Sequence, residues 1–177
     1  MRRASLILVA LLSLAGCAGL QSSSDNAAVA ELKNTAGQSV GTARFVQAGN
    51  VVRIVVEARG LPPGPHGVHV HAVGKCDPPD FNSAGPHFNP LTKQHGALNP
   101  QGSHAGDLPN LTVAPDGTGR METTTEQLSL GSGPLTVWDA DGSALVVHAN
   151  ADDFKTDPTG NSGSRIACGV LVKPPSR

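Results

Sequence analysis

The 177-residue sequence has no excess of charge of either sign, because 13 lysines and arginines stand against 14 aspartates and glutamates. A formal net charge of −1 excludes the large basic surface of a typical nucleic-acid-binding protein. The chain also lacks a second long hydrophobic run, since no segment after residue 16 is apolar enough to cross a membrane. No stretch carries the apolar stripe of a long amphipathic helix. These absences favour a β-rich protein that does not bind nucleic acid.

The first sixteen residues have the pattern of an export signal. The positive segment Met1-Arg2-Arg3 precedes an apolar run over residues 4–15, which is shorter than the ~20 residues of a membrane-spanning helix. The run ends in Leu14-Ala15-Gly16-Cys17. This ending resembles the lipobox of bacterial lipoproteins, and the resemblance implies that Cys17 is acylated and becomes the first mature residue. The alternative is an ordinary signal peptide with an incidental cysteine.

The segment that follows has the composition of a flexible tether, rich in Gly and Ser and without apolar periodicity. We predict a lipoprotein signal peptide over residues 1–16, a tether over residues 17–27 and one domain over residues 28–177. About 150 residues suffice for a single core. The expected location is the cell envelope or periplasm, with a lipid anchor in a membrane. Ala18 after Cys17 is consistent with sorting to an outer membrane.

The three cysteines support export. Assigning Cys17 to a lipid leaves Cys76 and Cys168, and one such pair in an oxidising compartment usually forms a disulfide. Closing a loop of roughly a hundred residues, as a bond between these two cysteines would, stabilises the fold by about 4–5 kcal/mol in the chain-entropy model. Two free buried thiols are the alternative.

The mature region predicts many short strands separated by Gly- and Pro-rich turns. Gln47-Ala48-Gly49-Asn50 has the composition of a hairpin turn between the first two of them. Such a pattern favours an antiparallel sandwich or barrel. The expected strands lie at residues 40–46, 51–58, 68–71, 108–113, 145–148 and 166–172.

Two segments do not fit strands, residues 73–107 and residues 149–164. The first is rich in Pro, Gly, Asn and His. A loop of that length is uncommon in a compact domain unless it is functional. It has too few apolar residues to be ordered by burial, so we expect a metal ion to hold it.

The seven histidines favour the same interpretation. His69 and His71 are two apart on a predicted strand and therefore point to one side of it. His148 ends another strand, and the long loop carries three histidines followed by Asp107. Three imidazoles and one carboxylate suit a tetrahedral Zn²⁺ site. A lone strand histidine is more often a packed residue than a ligand, and a histidine-rich sequestering tract would be low-complexity and clustered.

Six motifs resemble, in order, the signatures of the copper–zinc superoxide dismutases, and the similarity extends from Val29 to Val172. The motifs lie at residues 67–71, 83–90, 93–96, 104–108, 145–153 and 160–169. The resemblance implies an eight-stranded antiparallel Greek-key β-barrel or sandwich with two long functional loops. It also implies one copper and one zinc per subunit.

The resemblance assigns the individual residues as well. The copper ligands would be His69, His71, His87 and His148, and the zinc ligands would be His87, His95, His104 and Asp107. His87 would thus bridge both metals and take part in catalysis together with Arg165, which lies beside the copper in the family. Asp152 would link a copper histidine to a zinc histidine. His66 would be structural, and Cys76 and Cys168 would pin the loop to the last strand.

The implied activity is the conversion of superoxide to oxygen and hydrogen peroxide, which would protect the cell envelope from oxidative damage. The alternative is a non-enzymatic copper- or zinc-binding lipoprotein on the same fold. A purely structural sandwich, with a role in adhesion or interaction, is a third hypothesis. The expected partners are superoxide, membrane lipid through Cys17 and, as in related enzymes, a second subunit in a homodimer. The loop before Arg165 is net acidic, so we expect Lys75 or Lys93 to attract the substrate. Residues 135–140, with Trp138, are unlike the family.

Overall fold

The computed structural model describes residues 26–175 and contains nine strands and one short 3₁₀ turn, Asn82–Ala84, with no α-helix in that part of the chain. No helix within it is long and apolar enough to span a membrane. The strands are β1 (Ala27–Asn34), β2 (Ser39–Ala48), β3 (Val51–Ala58), β4 (Gly64–His66), β5 (Val68–His71), β6 (Leu111–Val113), β7 (Gly119–Thr125), β8 (Ala144–His148) and β9 (Arg165–Val170).

The strands form one antiparallel sheet in the order β4-β6-β7-β3-β2-β1-β9-β8-β5. Its two end strands, β4 and β5, are consecutive in the chain and are separated only by Gly67. The Leu108 amide donates to Val68 O at 3.3 Å, and the Val70 amide donates to Gly106 O at 2.9 Å. These bonds nearly close the sheet into a barrel, which leaves few exposed edges. The predicted all-β barrel is confirmed, and the eight expected strands become nine because Gly67 divides one of them.

The barrel core is built by alternation along the strands. In β3, Val52, Ile54 and Val56 are fully buried, whereas Arg53 and Glu57 point to solvent. Each large apolar side chain buried in this way contributes roughly 1.5–3 kcal/mol. In β5 and β8, by contrast, every residue is buried. One face of these two strands meets the core and the other is covered by the long loops, so β5 and β8 can hold polar groups away from water.

The structure adds three strands that the sequence pattern did not predict: the three-residue β4, and the longer β1 and β7. β1 is rich in Ala, and β7 contains three consecutive Thr residues with charged neighbours, so neither shows a β-branched apolar run. Pairing on both sides makes them strands. β6 is shorter than the predicted 108–113 and begins after Pro109, which has no N–H to donate. β1 begins at Ala27, at the predicted boundary of tether and domain.

Candidate metal centre

Four histidines converge on the covered face of β5 and β8. His69 and His71 are fully buried, and pairing of Val68 with Val147 places His148 opposite Gly67. His71 Nε2 lies 3.4 Å from His148 Nε2. The first long loop brings in His87, whose backbone forms a bridge with His71. The ligand atoms of these four residues all lie within 4.8 Å of one another.

A second group surrounds Asp107. Its Oδ1 lies 3.0 Å from His87 Nδ1, 3.0 Å from His95 Nδ1 and 3.3 Å from His104 Nδ1, and His87 Nδ1 lies 3.4 Å from His104 Nδ1. Ligands about 2.0–2.1 Å from a tetrahedral Zn²⁺ are roughly 3.3–3.4 Å from one another, so this spacing fits zinc. The other carboxylate oxygen, Asp107 Oδ2, accepts from the Gly96 and His104 amides at 2.9 and 3.0 Å. Those bonds leave Asp107 Oδ1 directed at the space between the three histidine rings.

His69 lies close to both groups, because its ligand atom is also within 4.8 Å of those of His87, His95 and Asp107. The contacts of His69 and His104 with the two aspartates determine to which group each histidine belongs. His104 reaches Asp107 directly, whereas the only ion-pair contact of His69 among the described residues is with Asp152. We therefore place His69 with His71 and His148, and His104 with the Asp107 group. His87 alone then belongs to both, through Nδ1 on one side and Nε2 on the other.

Each of four rings is oriented by an acceptor on its outer nitrogen. Asp152 Oδ2 lies 2.7 Å from His69 Nε2, and Asp152 Oδ1 lies 3.0 Å from His95 Nε2. His71 Nδ1 donates to Gly85 O at 2.8 Å, and His148 Nδ1 donates to Gly163 O at 3.1 Å. An acceptor on one nitrogen keeps the proton there and leaves the lone pair of the other nitrogen free for a metal. Asp152 thus joins the two groups by one carboxylate.

The nitrogens that face inward lack partners. His69 Nδ1, His87 Nε2 and His95 Nδ1 are buried and have no hydrogen bond. Buried polar atoms without partners are rare in folded proteins because they are costly. Bound cations would satisfy all three, so the donor set fits a two-metal site.

The electrostatics of the site keep most of these rings neutral. Burial, followed by repulsion from neighbouring imidazoles, lowers the pKa of His71 to about 2, that of His87 to about 4 and that of His148 to about 3. Burial also lowers the pKa of His95, but the carboxylates of Asp107 and Asp152, each 3.0 Å from one of its ring nitrogens, outweigh burial and raise that pKa to about 9. Neutral imidazoles are the form that binds metals.

These shifts predict a bell-shaped stability of the metal-free protein. Below pH 6.5 the unfolded chain protonates His71, His87 and His148 and the folded chain does not, so the free energy of unfolding falls as the pH falls toward 4. Three such groups lower the free energy of unfolding by up to about 4 kcal/mol for each unit by which the pH falls. The contribution of His95 has the opposite sign, present below pH 6.5 and lost as the pH rises through 9. Urea midpoints measured from pH 4 to 9 test this, and a flat profile between pH 4 and 6.5 would contradict it.

Asn110 is a site residue that the sequence pattern did not reveal. Its Nδ2 donates to Asp152 O at 2.9 Å, and its Oδ1 accepts from the Asp152 amide at 2.8 Å. The only sequence signal is an Asn directly before a strand, a position typical of turns. Gly160 was also missed. It has a φ of +63°, and a Cβ there would overlap Asp152 Oδ1 and His95 Nε2. Asn110 thus fixes the Asp152 backbone, and Gly160 leaves the space that the Asp152 carboxylate and the His95 ring occupy.

We expect Asn110→Ala to weaken zinc binding by about 10–100-fold, the usual effect of removing support from a metal ligand's partner. The cause is loss of both hydrogen bonds to the Asp152 backbone. Chelator competition measures the affinity. The matched control is Asn89→Ala, because Asn89 makes the same paired contact with the Lys93 backbone, at 2.8 and 3.0 Å, and does not touch Asp152. Equal losses in both variants would contradict a specific role for Asn110.

A cavity of about 920 Å³ opens over the first group and is lined by His71, His87, His148 and Arg165. Arg165 Nη1 donates to Phe81 O at 2.6 Å, and Nη2 donates to Gly85 O at 2.7 Å. Gly85 O therefore accepts from both Arg165 and His71. The guanidinium is held rigidly at the wall of a cavity large enough for a small anion.

The remaining predicted residues lie around this centre. Cys76 and Cys168 form a disulfide, with their Cα atoms 5.6 Å apart, as predicted. His66 lies outside both groups, with one ring nitrogen 2.8 Å from Pro62 O and the other 2.8 Å from His148 O. Of the two candidate lysines, Lys93 lines the cavity and Lys75 is not among its lining residues. Cys17 lies outside the described residues.

Comparisons with known proteins agree with this geometry. The family model described as copper/zinc superoxide dismutase (SODC) matches residues 39–171. A protein named Cu-Zn superoxide dismutase 1 from Aquifex aeolicus is 45% identical over 144 residues, which cover 80% of this chain and 85% of the relative. A Cu-Zn superoxide dismutase from Caulobacter vibrioides is 44% identical over 147 residues, 81% and 84% of the two chains. The crystal structure of a SOD-like protein from Bacillus subtilis aligns with a TM-score of 0.78 at 43% identity, over 81% of this chain and 97% of that one.

Proposed function

Because this chain belongs to the copper/zinc superoxide dismutase family, we propose that it converts two superoxide anions and two protons into oxygen and hydrogen peroxide at a copper ion joined to zinc by His87. The observation that carries the proposal is the position of His87. Its Nδ1 lies 3.0 Å from Asp107 Oδ1, while its Nε2 is buried without a partner beside His69, His71 and His148.

The donor sets assign the two metals. His69, His71, His87 and His148 offer four imidazole nitrogens and hold copper. His87, His95, His104 and Asp107 form a closed set of three imidazoles and one carboxylate and hold zinc, which also orders the long loop. Asp152 fixes a ring from each set and so keeps the two sites in register.

The metal supplies the electron chemistry: copper exchanges single electrons with superoxide, which zinc cannot do. The chain supplies orientation and protons. His71 and His148 are held by backbone carbonyls, so their Nε2 atoms do not rotate away during turnover. His87 Nε2 carries a proton in alternate half-reactions and donates it to the departing peroxide.

Arg165 binds the anion. Its guanidinium is fixed by two carbonyls, and it carries further N–H groups toward the cavity. Its charge attracts superoxide, and its remaining N–H groups hold the anion beside the copper ligands. Both acceptors are backbone oxygens, and Arg165 forms no ion pair with a carboxylate of residues 26–175, so its positive charge remains available to an anion.

Superoxide decay after pulse radiolysis tests the proposed function, with protein that begins after Cys17 and is reconstituted with copper and zinc. The expected second-order rate is on the order of 10⁸–10⁹ M⁻¹s⁻¹, close to diffusion control. Removal of copper should abolish it. Full loading with both metals and no catalysis would contradict the proposal and favour metal storage on the same fold.

Lys93 is expected to steer the anion. The charged side chains lining the cavity are Lys93, Arg165, Asp139 and Asp157. Their formal charges sum to zero in the absence of the metals. Lys93→Gln should lower kcat/KM roughly 2–10-fold at low ionic strength, and the loss should shrink as salt reduces the Debye length to about 10 Å at 0.1 M. Asp139→Asn is the matched variant and should raise kcat/KM. A rate indifferent to both changes and to salt would contradict local steering.

We further propose that the protein is exported to the cell envelope, protects it from superoxide and is anchored by acylated Cys17 through a tether of about ten residues. The Cys76–Cys168 disulfide supports an oxidising compartment. Mass spectrometry of the mature protein tests the anchor. A diacylglyceryl group on Cys17 is expected, and an unmodified Cys17 or cleavage at another position would contradict it.

A further inference from the structure

The end of the barrel at which the described chain begins carries a shallow pocket that the proposed reaction does not use. Asn26 lies directly before β1 at this end. The pocket, of about 540 Å³, is lined by Asn26, Leu130, Trp138 and Lys173, with small residues of the 131–136 loop between them. Lys173 is the only charged residue among those that line it in residues 26–175.

Trp138 has the contacts of an interfacial residue. Its ring lines the pocket and is half-buried, and its Nε1–H donates to Leu130 O at 2.8 Å, so its polar atom needs no partner from outside. Lys173 Nζ lies 6.0 Å from the ring centroid. The neighbouring Val172 is 50% exposed and pairs with Val29 of β1. An amphipathic ring and a cation therefore meet at one end of the barrel, and the exposed aliphatic residue Val172 directly precedes that cation in the chain.

This combination suits a lipid headgroup layer. Trp is enriched at membrane–water interfaces, and Lys can extend its charge toward anionic headgroups while its stem covers apolar surface. Eight residues separate Cys17 from Asn26. A chain of that length spans about 30 Å at most, so an anchor at Cys17 keeps this end of the barrel near the membrane.

We propose that the surface formed by Trp138, Val172 and Lys173 docks on an anionic lipid membrane; the inference rests on the proposed acylation of Cys17. Arg165 lies seven residues before Val172 along the same segment, about 23 Å at the rise of a strand. Docking therefore leaves the Arg165 end of the cavity open to substrate.

The test uses the mature, metal-loaded and acylated protein on vesicles of phosphatidylcholine mixed with phosphatidylglycerol. Trp138 is the only tryptophan in the chain, so its fluorescence reports this surface alone. Brominated acyl chains should lower the emission about twofold relative to unbrominated lipid of the same composition. Copper is present in both samples, so a difference in emission between the two lipids reports the bromine. Lys173→Gln should lower the docked-to-free ratio about fivefold. The control is Lys33→Gln, a half-exposed lysine near the far end of β1, which should have no effect.

Four other outcomes would contradict docking, and co-sedimentation together with Trp138 emission distinguishes them. Protein that co-sediments with vesicles and shows equal emission in both lipids keeps the anchor and excludes docking. Protein that does not co-sediment contradicts the acylation, and the inference falls with it. A shift of Trp138 emission caused by Leu20→Ser without lipid would assign the pocket to the tether. Emission that changes with protein concentration without lipid would assign it to a second copy of the chain.

Discussion

Replacement of His148 by glutamine is expected to lower the rate of superoxide dismutation at least ~100-fold, because removing a direct ligand exceeds the effect of removing its supporting partner. His148 is buried, its Nδ1 is fixed by Gly163 O, and its Nε2 lies 3.4 Å from His71 Nε2. No other donor among the described residues is assigned to that corner of the first group. Copper should be lost or held weakly.

Zinc binding separates this effect from misfolding. His148 is not part of the Asp107 group, so His148→Gln should keep zinc and the folded state. His66→Gln is the matched control, because His66 is equally buried and its two ring nitrogens bond, within residues 26–175, to the carbonyls of Pro62 and His148. It should lower stability by about 1–3 kcal/mol, the cost of unpaired buried groups, and keep both metals. Copper binding and activity that survive in His148→Gln would contradict the assigned copper site.

Removal of the Cys76–Cys168 disulfide is expected to lower the free energy of unfolding by several kcal/mol. The disulfide closes a loop across 92 positions, and a loop of that length corresponds to about 4–5 kcal/mol in the chain-entropy model. Domains of this kind are stable by only about 5–15 kcal/mol, so the loss is a large fraction of the total. Denaturant unfolding of the metal-free Cys76→Ser/Cys168→Ser variant measures it.

The disulfide also supports the site itself. Cys76 lies between His71 and the loop segment that carries Phe81 and Gly85, the two carbonyls that hold Arg165. Loosening this segment should therefore lower kcat/KM as well as stability, and the metal content should change less than the rate. The Lys75→Gln variant is the control, since Lys75 adjoins the disulfide and does not line the cavity. A loss of stability below about 1 kcal/mol would contradict the loop-closure account.

The parts of the site that the sequence predicted are those with a local pattern. His69 and His71 share a face because side chains alternate along a strand, and that strand was recognisable from its β-branched residues. Asp107 follows His104 by three residues, within the reach of one turn. The pairing of Cys76 with Cys168 followed from the count of cysteines and was strengthened by the family resemblance.

The contacts that the sequence did not reveal join residues far apart in the chain. Asn110 holds Asp152 across 42 positions, and Arg165 reaches Gly85 across 80. In both cases one partner is a backbone group, which has no signature in the sequence. β1 and β7 were missed for a related reason, since Ala- and Thr-rich segments become strands only when neighbours pair with them. Local pattern and the family resemblance thus predicted the candidate ligands, and tertiary pairing determined what supports them.

Anomalous diffraction at the copper and zinc edges determines whether a single histidine, His87, serves two metals. Crystals of the protein reconstituted with both metals should show one copper peak beside His87 Nε2 and one zinc peak beside His87 Nδ1, separated by a single imidazole ring. A single peak, the same element at both positions under stoichiometric loading, or two metals without His87 between them would contradict the account.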